Sequence, residues 1–384
     1  MVADKVKVQG YCDEKFAAVK EAFRRNFDSD LEVGASFAAT IDSKFVVDIW
    51  GGYADAAQTR PWERDTIVNV YSTTKVTTAI CALILVDRGQ LDLDAPVARY
   101  WPEFAQAGKE EIPVRYLLSH QSGLAGIDEP ILMAALCDWD RMIKLLEKQK
   151  PWWEPGKHCG YHGLTFGYLI GEVVRRITGK TLGTFFREEV AIPLDADFHI
   201  GFSAEHDHRV GEMIPPPVLK PGDPGYVEIE PGSIPWKVMM NPLFDHSVVK
   251  ERVWRGAEIP AANGHGNAHS VARVGAAMAC GGELDGVRLM RLPTIEKAIE
   301  EQCYDTDLVM NVPIRYGLGF GLTSKEMPLG PNPRTFSWGG WGGSRMVMDL
   351  DARLSWAYVM NKMSADVLGD PRGEGIAQAL YASL

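Results

Sequence analysis

A serine and a lysine three residues apart, in Ser72-Thr73-Thr74-Lys75, open an apolar helix that runs on from Val76 to Val86. Asp87-Arg88 follow, and Gly89 supplies a helix stop. The stretch Ala79 to Val86 is apolar all round, as expected of a helix buried in a sizeable domain. Positions i and i+3 share one helix face, so Ser72 Oγ and the Lys75 amine can meet. A serine hydroxyl is a poor nucleophile until a base stands within hydrogen-bond reach. A lysine at the mouth of an apolar helix is partly desolvated, which lowers its pKa and lets it take a proton. The helix N-terminus adds positive partial charge and free N–H groups suited to a developing oxyanion. The chemistry is acyl transfer to serine. The same residues also fit an N-cap serine beside a snorkelling lysine, so other parts of the chain must decide.

Two further stretches carry candidates. Tyr161-His162-Gly163 follows a break at Pro155-Gly156, and Trp338-Gly339-Gly340-Trp341-Gly342-Gly343-Ser344 lies near the C-terminus, on or beside a strand. Its glycines let backbone approach a substrate without Cβ clashes, although a glycine-rich hairpin turn has the same composition. His206-x-His208 and His265-x-x-x-His269 have spacings a metal could use, but no cysteine pair or H-E-x-x-H glutamate accompanies them, and they read as exposed loop histidines. There is no G-x-S-x-G elbow and no phosphate-binding glycine loop.

The elements that position these residues come from both ends of the chain. Residues 13–27 read as an amphipathic helix. Residues 33–41 and 45–53 form a hairpin turning at Asp42-Ser43-Lys44. Helices are expected at 138–149, 164–178, 270–280, 292–302 and 373–384, with strands at 335–338, 344–350 and 354–361. Residues 209–262 hold many prolines, from Pro215-Pro216-Pro217 through Pro224 to Pro242, interleaved with Tyr226, Trp236 and Phe244. This region is too aromatic to be disordered and reads as a long loop that walls a binding site. Strands at both ends with helices between predict an α/β (α+β) fold. One antiparallel sheet forms from 1–90 and 263–384, and a helical, loop-rich insert spans 91–262.

The chain has 384 residues, 46% of them hydrophobic, and a net charge of −11 with no basic block. Nucleic acid and anionic membrane surfaces are therefore not expected partners. Apolar runs fall far short of a bilayer span. Met1 to Lys7 lack an apolar signal core, giving a cytoplasmic expectation. Cysteines 12, 81, 137, 159, 280 and 303 form no C-x-x-C and read as reduced structural thiols.

The order Ser72-x-x-Lys75, Tyr161, Trp338-Gly339-Gly340 resembles the serine β-lactamase and penicillin-binding-protein superfamily. Leu117-Leu118-Ser119-His120-Gln121-Ser122-Gly123-Leu124 and Gly281-Gly282-Glu283-Leu284-Asp285-Gly286 add to the likeness. Within the superfamily the chain is most similar to the class C β-lactamase-like family VIII carboxylesterases, which have W-G-G in place of K-T-G. The resemblance implies a β-lactamase-like fold, Ser72 as acyl-accepting nucleophile, Lys75 as its partner and Tyr161 as general base or proton relay. It implies an oxyanion hole from the N–H groups of Ser72 and Trp341. Substrate contacts are expected from Trp338, Gly339, Gly340, Trp341 and His162, with no cofactor or metal. Two departures stand out: Gly163 occupies a position that is often Asn, and Trp338 replaces the lysine that attracts the carboxylate of β-lactams.

The expected activity is serine carboxylesterase on short- to medium-chain acyl esters, with weak or no β-lactam turnover, since tryptophan offers an apolar wall instead of a cation. A pocket is expected from Trp338, Trp341, the Trp152-Trp153 segment and the 209–262 region. The same site would also serve an acyltransferase, an amidase or a D-peptidase, and a non-catalytic scaffold or β-lactam binder is the alternative from another class. Which of Lys75 and Tyr161 is the first base stays open, because the two titrate as a unit. The partner is a small-molecule ester, and oligomeric state is not legible.

Overall fold

The computed structural model describes residues 6–223, 226–366 and 368–384. The expectations on Met1 to Lys5 and on Pro224 lie outside them. Among the described residues nine strands form one antiparallel sheet. Its order is Gln9–Cys12, Lys44–Gly52, Gly34–Ile41, Leu354–Met360, Arg345–Asp349, Thr335–Gly339, Gly321–Leu322, Pro313–Tyr316, Cys303–Thr306. Both ends of the chain thus meet at the centre, where Leu354–Met360 pairs with Gly34–Ile41 along its whole length.

Alternation along the central strand sends neighbouring side chains to opposite faces, and each face takes a helix. Ser355 faces the helix Ala268–Ala279, where a Cβ on Gly275 would lie 2.2 Å from Ser355 Oγ. Tyr358 faces the C-terminal helix Pro371–Tyr381, with Gly373 against its ring. The helix Thr74–Asp87 is buried on all sides, as its composition requires, and packs against Thr165–Thr178 and Leu182–Phe186. No helix among the described residues is long and apolar enough to cross a membrane.

Several expectations change. Ser72 and Thr73 form a tight turn ahead of the helix, which starts at Thr74, with Lys75 N–H bonded to Ser72 O at 3.0 Å. The 209–262 region contains the helices Ile234–Met240 and Arg252–Gly256. Ser233 caps the first through Trp236 N–H at 3.3 Å, and Pro235 sits in its first turn. The helix begun at Leu292 stops at Ala298, and the chain then enters the short strands from Cys303 to Leu322. Those strands were missed because they are two to four residues long and, at Cys303–Thr306, exposed and polar, leaving no period-two pattern. Of the histidine pairs, His208 is exposed and His206 half-buried on the short turn Ala204–Arg209, but His265 and His269 are not loop residues. His265 is buried in the strand Gly264–Gly266, and His269 lies on a helix against Asp48.

A buried charge cluster holds the loop after Thr335–Gly339. Arg372 pairs with Asp370 at 2.6 Å and Glu32 at 3.1 Å, and donates to Gly342 O at 2.9 Å. Removing one partner of such a cluster strands the others without water. Arg372→Ala is expected to destabilise the fold by about 3–5 kcal/mol, measured by urea unfolding. A loss below about 1 kcal/mol would place these charges in the class of exposed pairs.

Candidate active site

The segment Pro260–Gly264 is stitched to the start of the Thr74–Asp87 helix. Thr78 Oγ1 donates to Pro260 O at 2.5 Å, and Gly264 N–H donates to Thr74 Oγ1 at 2.8 Å. Lys75 Nζ reaches Ala261 O at 3.0 Å. On the other side the Thr165–Thr178 helix comes close because Gly167 lacks a Cβ, which would lie 2.5 Å from Ala261 N. That helix fixes the preceding Gly163, whose carbonyl lies 2.7 Å from Lys75 Nζ. The third partner of Lys75 is Ser72 Oγ at 3.1 Å.

Lys75 is 1% exposed and has no carboxylate among these partners. Burial alone therefore drives its ammonium well below the ordinary lysine range. In the neutral amine two N–H groups satisfy the two carbonyls, and the lone pair is left facing Ser72.

Tyr161 O–H lies 2.6 Å from Ser72 Oγ on the opposite side, and Trp338 Nε1–H points to the Tyr161 oxygen at 3.4 Å. Burial pushes the phenol up to about 12, with the Ser72 and Trp338 contacts pulling weakly the other way. Tyr161 is thus a protonated phenol at neutral pH. No ammonium stands beside it to favour the phenolate, because the neighbouring Lys75 amine is itself desolvated. The Lys75 nitrogen lies 4.7 Å from the Tyr161 ring centroid.

Asp307 positions Tyr161 from behind and was not picked out from the sequence. It is fully buried. One oxygen accepts the Tyr161 N–H at 3.1 Å and those of Val309 and Met310 at 2.8 Å, and the other accepts Tyr316 O–H at 2.8 Å. An isolated aspartate in a polar loop carries no signal of such a role. His120 completes the support. Its ring lies among Tyr161, Tyr316 and Trp338, and its Nδ1 accepts the His162 N–H at 3.1 Å.

The turn after Trp338-Gly339 is locked to the residues before Ser72. Ser344 Oγ donates to Val70 O at 2.8 Å and lies 3.0 Å from Thr73 Oγ1. A Cβ on Gly340 would stand 2.0 Å from Val70 O, so only glycine allows this approach. Trp341 therefore follows directly on a backbone segment pressed against that of the serine. Its indole packs with Tyr71, Phe244 and His246.

Ser72, Tyr161, Trp338, Gly339 and Trp341 all line one cavity of about 410 Å³. Its walls are otherwise largely apolar, from Val238, Met239, Leu243 and Phe244 on one side to Met310, Met327 and Leu329 on the other. Gly340, expected to touch substrate, does not line this cavity, because it is pressed against Val70 O and Ser344 instead. His162 does not line it. The ring is fully buried, with Nε2 2.7 Å from Ser122 Oγ and Nδ1 2.6 Å from Gly160 O, so both nitrogens are used inside the protein. Trp152 and Trp153 also lie outside the lining, with their rings against Gly126 and Gly160. The Pro-rich region does contribute walls, but through its helix Ile234–Met240 and Pro242 to Phe244, with Trp236 turned outward. At Gly163 an added Cβ would meet only Val238 at 3.6 Å and Tyr161 at 3.9 Å. Glycine there leaves space beside Tyr161 instead of meeting a backbone demand.

The family described as Beta-lactamase matches residues 23–381 of the chain. The chain is 35% identical over 371 residues to Esterase/beta-lactamase LipL of Mycobacterium tuberculosis, with 93% of this chain and 83% of that protein covered. It is similar, with TM-score 0.92 and 43% identity, to a solved structure described as a family VIII carboxylesterase, over 98% of this chain and 100% of the other. A penicillin-binding-protein homologue from Caulobacter crescentus matches with TM-score 0.91 and 38% identity, over 98% of this chain and 100% of that one. Sequence, fold and a serine between a desolvated lysine and a tyrosine agree, and the chain belongs to the Beta-lactamase family as an enzyme of its serine-hydrolase type.

Proposed function

We propose that this enzyme is a carboxylesterase that hydrolyses short- to medium-chain acyl esters through an acyl-enzyme on Ser72. One observation carries the reading. Ser72 Oγ stands between Lys75 Nζ at 3.1 Å and Tyr161 O–H at 2.6 Å in a largely apolar cavity of about 410 Å³. The hydrogen-bond inventory supports the following roles. Neutral Lys75 takes the Ser72 proton as Oγ attacks the ester carbonyl. The N–H groups of Ser72 and Trp341 hold the oxyanion. Tyr161, kept protonated by burial, gives its proton to the departing alkoxide and stays a phenolate beside the Lys75 ammonium, ready to take a proton from water while Lys75 returns its own to Ser72 Oγ. Water then enters by the same route in reverse and frees the acid. The relatives described as esterases support the substrate class. Trp338 stacks on Tyr161 with ring centroids 5.3 Å apart, where a β-lactam-binding lysine would stand. An indole there favours neutral acyl groups over the carboxylate fused to a β-lactam ring, and nitrocefin turnover is read as slower than that of simple esters.

The first test is hydrolysis of p-nitrophenyl acetate, butyrate and octanoate. Ser72→Ala is expected to lose about 10⁴-fold or more in kcat, with mass spectrometry of the quenched wild type placing the acyl group on Ser72. No turnover at any chain length with Ser72 unlabelled would reject the reading. Tyr161→Phe is expected to cost about 10²–10⁴-fold on a methyl ester and less on a p-nitrophenyl ester, whose phenolate leaves without a proton. Equal losses on both would remove the acid role from Tyr161. The pH profile follows from the two shifts. Lys75 must be neutral, so activity falls as pH drops through its depressed pKa. Tyr161 must be protonated, so no alkaline limb belongs to the site below about 12. An alkaline limb near neutrality that disappears in Tyr161→Phe would reverse the two assignments.

A further inference from the structure

The cavity beside Ser72 has largely apolar walls, yet one side chain facing it carries a full charge: Arg345. Arg345 stands directly opposite Gly339 in the sheet, where the missing side chain leaves room for its stem. The side chain is 11% exposed, and burial lowers the guanidinium from its ordinary value. A charge so placed requires close partners, and the protein supplies only loose ones. Nε lies 3.3 Å from Ser337 Oγ, and Nη1 lies 3.5 Å from a Glu374 carboxylate that is itself 51% exposed. A guanidinium has five donors in a planar fork that matches a carboxylate, so most of its capacity is unspent.

The position of Arg345 sets which part of a ligand it can meet. A second cavity of about 930 Å³ adjoins the first, and Arg345, Met327, Leu329 and Leu368 line both. Arg345 thus stands at their junction. Among the described residues it has no hydrogen bond or ion pair with Ser72, Lys75 or Tyr161. A guanidinium at the join of the two cavities, out of contact with the catalytic groups, suits a carboxylate at the far end of a ligand chain better than one beside the scissile bond.

We propose that Arg345 is a specificity-determining residue that binds a carboxylate at the far end of the substrate, so that the preferred substrates are ω-carboxylated esters. This rests on the carboxylesterase reading and names its substrate class. The exposed Glu374 occupies one edge of the fork in the free enzyme and yields to the incoming carboxylate. The apolar walls take the methylene chain between the two ends. The carboxylate belongs either to the acyl part, as in a half-ester of a dicarboxylic acid, or to the alcohol part.

The experiment compares each carboxylate ester with its carboxamide counterpart, which has the same shape and no charge. Monomethyl glutarate is set against the methyl ester of glutaramic acid for the acyl side, and the butanoate ester of 4-hydroxybutanoate against that of 4-hydroxybutanamide for the alcohol side. The wild type is expected to favour the carboxylate in one pair by about tenfold or more in kcat/KM, through KM, and the pair that shows it identifies the side. In Arg345→Gln that ratio should fall to about one, and in Arg345→Lys part of it should remain. A ratio near one in both wild-type pairs, or a preference that survives Arg345→Gln, overturns the proposal. Because the readout is a ratio, general damage to the fold does not mimic the result. If the wild type hydrolyses no member of either pair, the p-nitrophenyl esters and the labelling of Ser72 decide the esterase reading separately. Calorimetric titration of Ser72→Ala with the same four esters then decides the role of Arg345: tighter binding of a carboxylate than of its carboxamide supports it, and equal binding overturns it.

Discussion

The site depends on keeping water and carboxylates away from one amine. Lys75 is buried against two backbone carbonyls and the Ser72 hydroxyl, and none of the three carries charge. A lysine paired with an aspartate would stay an ammonium and be useless as a base, whereas one desolvated among neutral acceptors gives up its proton easily. The buried Thr74–Asp87 helix, the close pass of the Thr165–Thr178 helix at Gly167 and the stitching of Pro260–Gly264 to Thr74 and Thr78 all serve to exclude water from that nitrogen. The same dryness raises the Tyr161 phenol to about 12. One physical cause, burial, thus moves two neighbouring groups in opposite directions, towards a neutral amine and a protonated phenol, the states that the proposed base and acid require.

A second constraint ties the far end of the sheet to the serine. The turn after Trp338-Gly339 touches the backbone ahead of Ser72 through Gly340 and Ser344, and is held from outside by Arg372 on Gly342 O. Gly342 and Gly343 have φ of +90° and +125°, a region that side chains resist, so this turn needs glycine at both positions. The glycine-rich run therefore serves two ends: part of it brings backbone close to the substrate position, and part of it lets the chain reverse under a buried charge cluster.

The walls of the cavity come from places far apart in the chain. Met239 to Phe244 arrive from the long region before Trp254, Met310 follows the Asp307 turn, and Met327 and Leu329 follow the strand Gly321–Leu322. The wall is assembled by side chains whose own segments carry no periodic pattern. Trp152, Trp153 and His162, which their types make attractive for substrate contact, fold away from it. They cover glycines or use both ring nitrogens internally.

By itself the sequence determined the nucleophile–lysine spacing, the buried helix behind it, the central hairpin and C-terminal strands, and the family to which their order belongs. These are local or ordered signals: a hydroxyl and an amine one helical turn apart, an apolar run too uniform for a surface helix, and strand-length runs of five or more residues bounded by turns. Tertiary structure alone decided which lone residues converge. Asp307 holds the Tyr161 backbone, Gly163 lends a carbonyl to Lys75, and Arg345 reaches over Gly339 into a cavity with largely apolar walls. None of these is visible in sequence because each depends on a contact between segments far apart along the chain. The burial that sets the protonation of Lys75 and Tyr161 is likewise a property of everything packed around them, not of the residues themselves.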